Sequence, residues 1–304
     1  NAISKVLLHG QFILGPEVIK LEKVLAKYVG TKYCITVSSG TDALLISLMS
    51  LGIGPGDEVI TPSFSFISTI EVIALLGAKP VLADINIDTA VIDPYLLEEK
   101  ITPKTKAIIP VSLFGQIVNF KQINKVAKKY NNIAVIEDGA QSFGSTYHGK
   151  KSCSLSILGC TSFFPSKPLG CFGDGGAIFT NNKKLAILAK EIRIHGQTKR
   201  HHSSRIGILG RMDTIQCAIV LAKFKKFDWE LKKRRQIAKR YESFFNKFYQ
   251  SGSIKNLKIE KNIKSNYSHF TIIVSKRKKL QDILKKHNIP YAVYYPKPLN
   301  MQPA

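Results

Sequence analysis

The 304-residue chain carries 45 Lys and Arg against 21 Asp and Glu, a formal charge of +24, and 44 % of its residues are apolar. That length suits one large domain plus a small one with ample core, and no run reaches the roughly 18 apolar residues of a membrane span. Its five cysteines are odd in number and lack Cys-x-x-Cys spacing, so neither a disulfide framework nor a zinc site is expected, and reduced, inert thiols fit a cytosolic setting.

Residues 1–20 lack the basic start, apolar core and small-residue cleavage site of a signal peptide. Pro16 is placed to start a helix and Gly30 to end it, with Val18, Leu21, Leu25 and Tyr28 at helical spacing between them. A buried strand over 33–37 runs through Ser38-Ser39-Gly40-Thr41 into a helix over 42–51. The turn cluster 52–57 precedes a strand over 58–61 and a helix over 68–76. A strand at 80–83, a helix near 94–100, a strand at 107–111, a helix at 120–130 and a strand at 133–137 follow. Further strands are read at 161–164 and 177–180. Short apolar strands separated by helices predict a mostly parallel sheet covered on both faces.

From about residue 223 the pattern changes. A long basic helix over 226–248 leads through a polar segment, 250–267, to a strand at 270–274, a helix at 278–287 and a strand at 291–294. The expected organisation is a large domain over 1–222 and a smaller α/β domain over 223–304. The basic residues lie on helix faces, as at Lys121, Lys125, Lys128 and Lys129, and even the dense run Lys225 to Arg240 is spaced as an exposed face. This reads as solvated surface and not as a nucleic-acid stripe. A positive field would nonetheless attract a diphosphate-bearing molecule.

Three segments carry chemistry. In Ser38-Ser39-Gly40-Thr41-Asp42 a glycine stands where a strand turns into a helix, and free N–H groups with a hydroxyl there suit an anion; an ordinary helix cap has the same sequence. In 133–142 an apolar strand ends in Glu137 and Asp138, and ligands of parallel sheets bind beyond such strand ends. Those carboxylates either pair with a buried cation or cap the next turn. In Ser162-Phe163-Phe164-Pro165-Ser166-Lys167-Pro168-Leu169-Gly170 a single lysine occupies an apolar, glycine-bounded loop. Enclosure there lowers its proton affinity and frees a nucleophilic amine.

In order and spacing, these segments resemble the DegT/DnrJ-type sugar aminotransferases, a fold-type-I family dependent on pyridoxal 5'-phosphate (PLP). The resemblance runs from Gly10-Gln11-Phe12-Ile13-Leu14-Gly15-Pro16-Glu17 to Tyr295-Pro296-Lys297-Pro298-Leu299-Asn300. It implies that Lys167 binds the cofactor covalently and then moves the proton. Asp138 would pair with the ring nitrogen so that the ring accepts electrons, and Gln141 would lie near the ring's phenolic oxygen. Phe66 would stack on the ring, its alternative being a place in the core, and Gly40, Thr41 and Ser162 would bind the phosphate.

Within the family, 141–144, 150–153, 161–169 and His195-Gly196-Gln197 look most like the subgroup that aminates UDP-2-acetamido-2-deoxy-3-oxo-glucuronate with glutamate for surface polysaccharide. By that resemblance Arg211, His195 and Tyr295 are substrate-binding candidates. Arg211 is the candidate for the carboxylate, because a guanidinium fork binds it bidentately; an intersubunit pair with Asp213 is its alternative. A cytoplasmic homodimer with shared sites is implied, and no metal. The family's usual Gly-x-Asn-x-Arg reads here Gly207-Ile208-Leu209-Gly210-Arg211, which removes a contact to the partner's phosphate worth about 1.5–3 kcal/mol. The family pattern also begins before Asn1 and continues past Ala304, so either a fragment or an eroding gene is expected. Lys167 argues against a sugar dehydratase on this fold, in which histidine replaces the lysine. A non-catalytic, regulatory binding protein is the alternative function.

Overall fold

The computed structural model describes residues 1–249 and 254–303. Asn1 caps α1 (Ala2–His9), its side chain accepting from the Ser4 amide at 3.3 Å. Pro16 opens α2 (Pro16–Val29), and Gly30, at φ 85°, closes it with its N–H on the Ala26 carbonyl. Val18, Leu21, Leu25 and Val29 are buried, so one stripe at helical spacing carries the packing.

The chain continues through β1 (Tyr33–Val37), α3 (Gly40–Ser50), β2 (Glu58–Pro62), α4 (Ser68–Leu75), β3 (Lys79–Ala83), β4 (Thr105–Ile108), α5 (Phe120–Lys129) and β5 (Ala134–Asp138). Two short strands, β6 (Thr146–Tyr147) and β7 (Lys150–Lys151), precede β8 (Leu158–Ser162), β9 (Gly176–Thr180) and α6 (Lys183–Ile192). Then come β10 (Gln197–Lys199), β11 (His202–Ser203), α7 (Thr214–Phe224), α8 (Phe227–Tyr249), β12 (Ile254–Asn256), β13 (Ile263–Lys264), β14 (Ile272–Val274) and α9 (Arg277–Lys286).

Seven strands form one sheet in the order β1-β9-β8-β5-β4-β2-β3. From β8 to β3 every pairing is parallel, and β9 is antiparallel to both β1 and β8. The expected α/β architecture with a mostly parallel sheet is therefore present. Helices cover both faces, so strands such as β2 and β9 are buried along their whole length, as sheets covered on both sides require. One apolar cluster packs α3 and α6 against β1, β8 and β9, a second gathers α2 and α7 with Phe143, Phe163, Phe179 and Phe227, and a third surrounds α5. α5 shows the division of labour: Phe120, Ile123, Val126 and Ala127 are buried, while Lys121, Lys125 and Lys128 face outward.

Several elements differ from the sequence reading. The helix expected near 94–100 is a single 3-10 turn, Glu98–Lys100. The strand read at 161–164 is β8, which ends at Ser162. Phe163 turns out of it, its N–H bound to the Gly175 carbonyl and its own carbonyl to the Cys171 amide, each at 2.7 Å. No strand forms at 291–294. The polar segment 250–267 contains β12 and β13, and its first four residues lie outside the described ones. β13 pairs with β6, which ties this late segment back to the large sheet's unit. α1, α6 and α7 carry no counterpart in the sequence reading. All five cysteines are free and buried.

Candidate active site

The carboxyl end of β5 organises the site. Parallel pairing sets Asp138 opposite Cys160 of β8, so the loop leaving β8 emerges beside the end of β5. Lys167 sits in that loop, its amide on the Phe164 carbonyl at 2.8 Å. Asp138 is 7 % exposed and its Oδ1 accepts from the Ala140 amide at 3.0 Å. Among the described residues no donor meets Oδ2. Burial raises the Asp138 carboxyl above its ordinary range, with the Ala140 amide and the Lys167 charge opposing. Burial lowers the Lys167 amine, with the Asp138 charge opposing in turn. Each group thus feels the other's charge across a partly dehydrated space.

Gln141, 6 % exposed, is clamped. Its Oε1 accepts from the Phe114 amide at 2.8 Å and its Nε2 donates to the Tyr295 hydroxyl at 3.1 Å. Burial, above all, pushes the Tyr295 hydroxyl up to about 12, so it is a neutral hydrogen-bonding group at ordinary pH. The rings of Phe64 and Phe66 approach Tyr295 at 5.8 and 6.4 Å. Phe66 is 56 % exposed; it lines the open side of the cleft, which excludes its alternative reading as a core residue.

A second feature lies at the start of α3. Ser39 caps the helix by accepting from the Asp42 amide at 2.9 Å. Among the described residues, the Gly40 and Thr41 amides have no acceptor. Gly40 packs directly on Ser162: a Cβ at Gly40 would lie 2.7 Å from the Ser162 Cβ. Two open N–H groups at a helix start and an adjacent serine hydroxyl form a cradle for an anion.

The structure therefore brings Lys167, Asp138, Gln141 and Tyr295 together, sets Phe66 beside Tyr295, and joins Gly40 to Ser162. It does not connect the other two candidates to them. His195 is exposed and its amide binds the Ile208 carbonyl at 3.1 Å. Arg211 is half-buried, and among the described residues neither side chain makes a hydrogen bond or ion pair. Leu209 is 59 % exposed and forms an isolated bridge with Ile194. His269, absent from the sequence reading, lies in the cleft wall, its ring 4.6 Å from Tyr294 and 5.8 Å from Phe114. Burial lowers its basicity, reinforced by the charges of Lys167 and Arg234. Its place just before β14, in Ser265-Asn266-Tyr267-Ser268-His269, is a polar cluster that could have flagged it. A cavity of about 810 Å³ lies apart, between α8 and the β13-β6-β7 sheet, and none of these residues lines it.

The donor set fits PLP. A cradle for a phosphate, an amine whose basicity burial lowers, a buried carboxylate with one oxygen unmet among the described residues, and a clamped amide are what the cofactor's phosphate, aldehyde, ring nitrogen and ring oxygen require.

Comparison with known proteins gives a consistent picture. The model of the DegT/DnrJ/EryC1/StrS aminotransferase family matches residues 1–304. A UDP-2-acetamido-2-deoxy-3-oxo-D-glucuronate aminotransferase of Pseudomonas aeruginosa is 54 % identical over 302 residues, 99 % of this chain and 83 % of that protein. A pleiotropic regulatory protein of Geobacillus stearothermophilus is 41 % identical, over 100 % of this chain and 81 % of its own. Among solved structures, NtdA of Bacillus subtilis with bound cofactor PMP superimposes with a TM-score of 0.92 at 35 % identity, covering 100 % of this chain and 70 % of that one.

Proposed function

Because the chain belongs to the DegT/DnrJ/EryC1/StrS aminotransferase family, whose cofactor is PLP, we propose that it moves an amino group from glutamate to UDP-2-acetamido-2-deoxy-3-oxo-glucuronate. The observation that carries this reading is the placement of the Lys167 loop, which leaves β8 beside the carboxyl end of β5, where Asp138 is buried. The substrate assignment rests on the 54 % identity to the Pseudomonas aeruginosa enzyme. We assign the product to polysaccharide synthesis, including that of lipopolysaccharide, in the cytoplasm. Among the described residues no helix is long and apolar enough to cross a membrane.

Each residue has a task. Gly40, Thr41 and Ser162 hold the phosphate, with glycine needed so that the helix start can close on Ser162. Asp138 would pair with the ring nitrogen of the bound cofactor; although burial alone raises its carboxyl, a cation at Oδ2 would oppose that shift. Phe66 would cover one face of the bound ring and limit water there. When bound, PLP supplies an electron sink for the substrate carbon that loses its proton. Lys167 would hold the cofactor at its Nζ and, once the donor's amino group displaces it, its freed amine would take the proton from one carbon and return it to another. Arg211, His195 and Tyr295 are assigned to the sugar nucleotide, Arg211 to its carboxylate. A homodimer sharing its sites, and a small domain over 223–304, complete the assignment.

PLP added to the protein should produce the absorbance band of lysine-bound cofactor, and Lys167→Ala should lose it. Glutamate with the UDP-keto-sugar should release 2-oxoglutarate. The similarity to a regulatory protein motivates a second reading, a PLP-binding protein without turnover; in that case the band forms and no 2-oxoglutarate is released. Retention of the band by Lys167→Ala removes Lys167 as the anchor.

A further inference from the structure

Asn266 comes from the segment after α8, 125 residues beyond Gln141, yet it is built into the wall behind Gln141. Asn266 is 0 % exposed. Its Nδ2 donates to the Gln141 carbonyl at 3.0 Å and to the Phe143 carbonyl at 2.9 Å. Its Oδ1 accepts from the Ser268 amide at 2.8 Å, and its own amide donates to Ser145 Oγ at 2.9 Å. Both donors and the acceptor of the side chain are therefore used, which fixes its orientation completely.

The same residue braces the other grip on Gln141. Ser145 Oγ donates onward to the Gly115 carbonyl at 3.0 Å. Gly115 stands at φ +92°, and a methyl group there would collide with Asn266 Oδ1. The neighbouring Phe114 supplies the amide that holds Gln141 Oε1. Asn266 thus fixes the backbone of Gln141 directly and its side-chain clamp through Ser145 and Gly115. From outside, Arg235 Nε donates to the Ser265 carbonyl at 2.8 Å and holds the segment in place.

We propose that Asn266 is a positioning residue, which aims the remaining amide proton of Gln141 at the ring oxygen of the cofactor. This rests on the reading that Gln141 faces that oxygen. One Nε2 proton is spent on Tyr295 and, among the described residues, the other meets no acceptor. A donor aimed at an ionised oxygen stabilises its charge, and so lowers the pH at which the lysine–cofactor link loses its proton. Such an arrangement tolerates little slack, because the hydrogen bond weakens steeply as its angle opens.

The test is a pH titration of the absorbance of the PLP-loaded protein. Asn266→Ala should keep the band that Lys167→Ala loses, but its midpoint should rise by roughly one unit, the size expected for losing one hydrogen bond to a charged oxygen. Gln141→Ala should give the same rise, and the double variant no more than either alone. A wild-type midpoint in Asn266→Ala alongside a shifted Gln141→Ala overturns the proposal, and so do additive shifts. An unshifted Gln141→Ala also overturns it and locates the fault in the placement of Gln141; loss of the band in Lys167→Ala tests the aminotransferase reading separately. Should Asn266→Ala fail to fold, Ser145→Ala removes the link to Gly115 with little loss of volume. It should move the midpoint in the same direction, and an unmoved midpoint overturns the proposal.

Discussion

Glu137 and Asp138 are neighbours with opposite fates. Successive residues of a strand point to opposite faces, so Asp138 reaches the cleft while Glu137 enters the interior. Glu137 is 0 % exposed, and its Oε1 accepts from Ser152 Oγ at 2.6 Å. Burial pushes its carboxyl from 4.5 up to about 7. The folded protein therefore keeps a proton that the unfolded chain releases between those values. That contribution to stability is complete below pH 4.5 and is lost as pH rises through about 7. Glu137→Gln cannot titrate. In urea unfolding at pH 5 and pH 8, the wild type should lose up to about 3 kcal/mol relative to this variant, and parallel profiles would refute the assignment. Both carboxylates are legible in the sequence at a strand end; which of them meets a ligand depends on the pleat. Gly40 is similar, since its place at a helix start is readable but its contact with Ser162 depends on strand order.

Among the elements, the long helices α2, α5 and α8 follow from apolar spacing and from caps such as Pro16, Gly30 and Asn119. The expected strand at 291–294 fails for a reason outside its own residues: a strand exists only when a neighbour takes its backbone groups, and none pairs there. Contacts between elements are equally hidden. Arg193, at the end of α6, reaches Glu22 of α2 at 2.6 Å and the Thr36 carbonyl of β1 at 2.7 Å. The two charged side chains are 8 % and 13 % exposed, so each charge has its counter-charge inside the protein. Arg193→Ala should cost about 3–5 kcal/mol in denaturant unfolding by stranding Glu22 in the interior. The double variant with Glu22→Gln should recover part of that loss. Equal instability of the single and double variants would show that the pair is not the cause.

Across the whole molecule, the excess positive charge is spread over solvated helix faces, whereas several large apolar side chains remain uncovered. Leu8 is 87 % and Ile206 85 % exposed, and Phe12, Ile13, Phe172 and Leu209 are also exposed. Apolar side chains of this size favour burial against a partner, which supports the proposed homodimer. Sedimentation of the PLP-loaded protein should give twice the chain mass of 33.8 kDa; a single-chain mass would remove the shared-site arrangement and, with it, any role for Leu209 toward a neighbour.

The amino-acid order alone determined the alternation of strand and helix, and singled out Lys167, Asp138 and Gly40, because periodicity, caps and a lysine among apolar and glycine residues are local signals. Only the tertiary structure decided that Asn266 and His269 lie beside Gln141 and Tyr295, that Tyr295 clamps Gln141, and that His195 and Arg211 stand apart within one chain. These placements arise when a sheet and its return segment pack. They bring together residues far apart in the chain, and no local pattern encodes such a meeting.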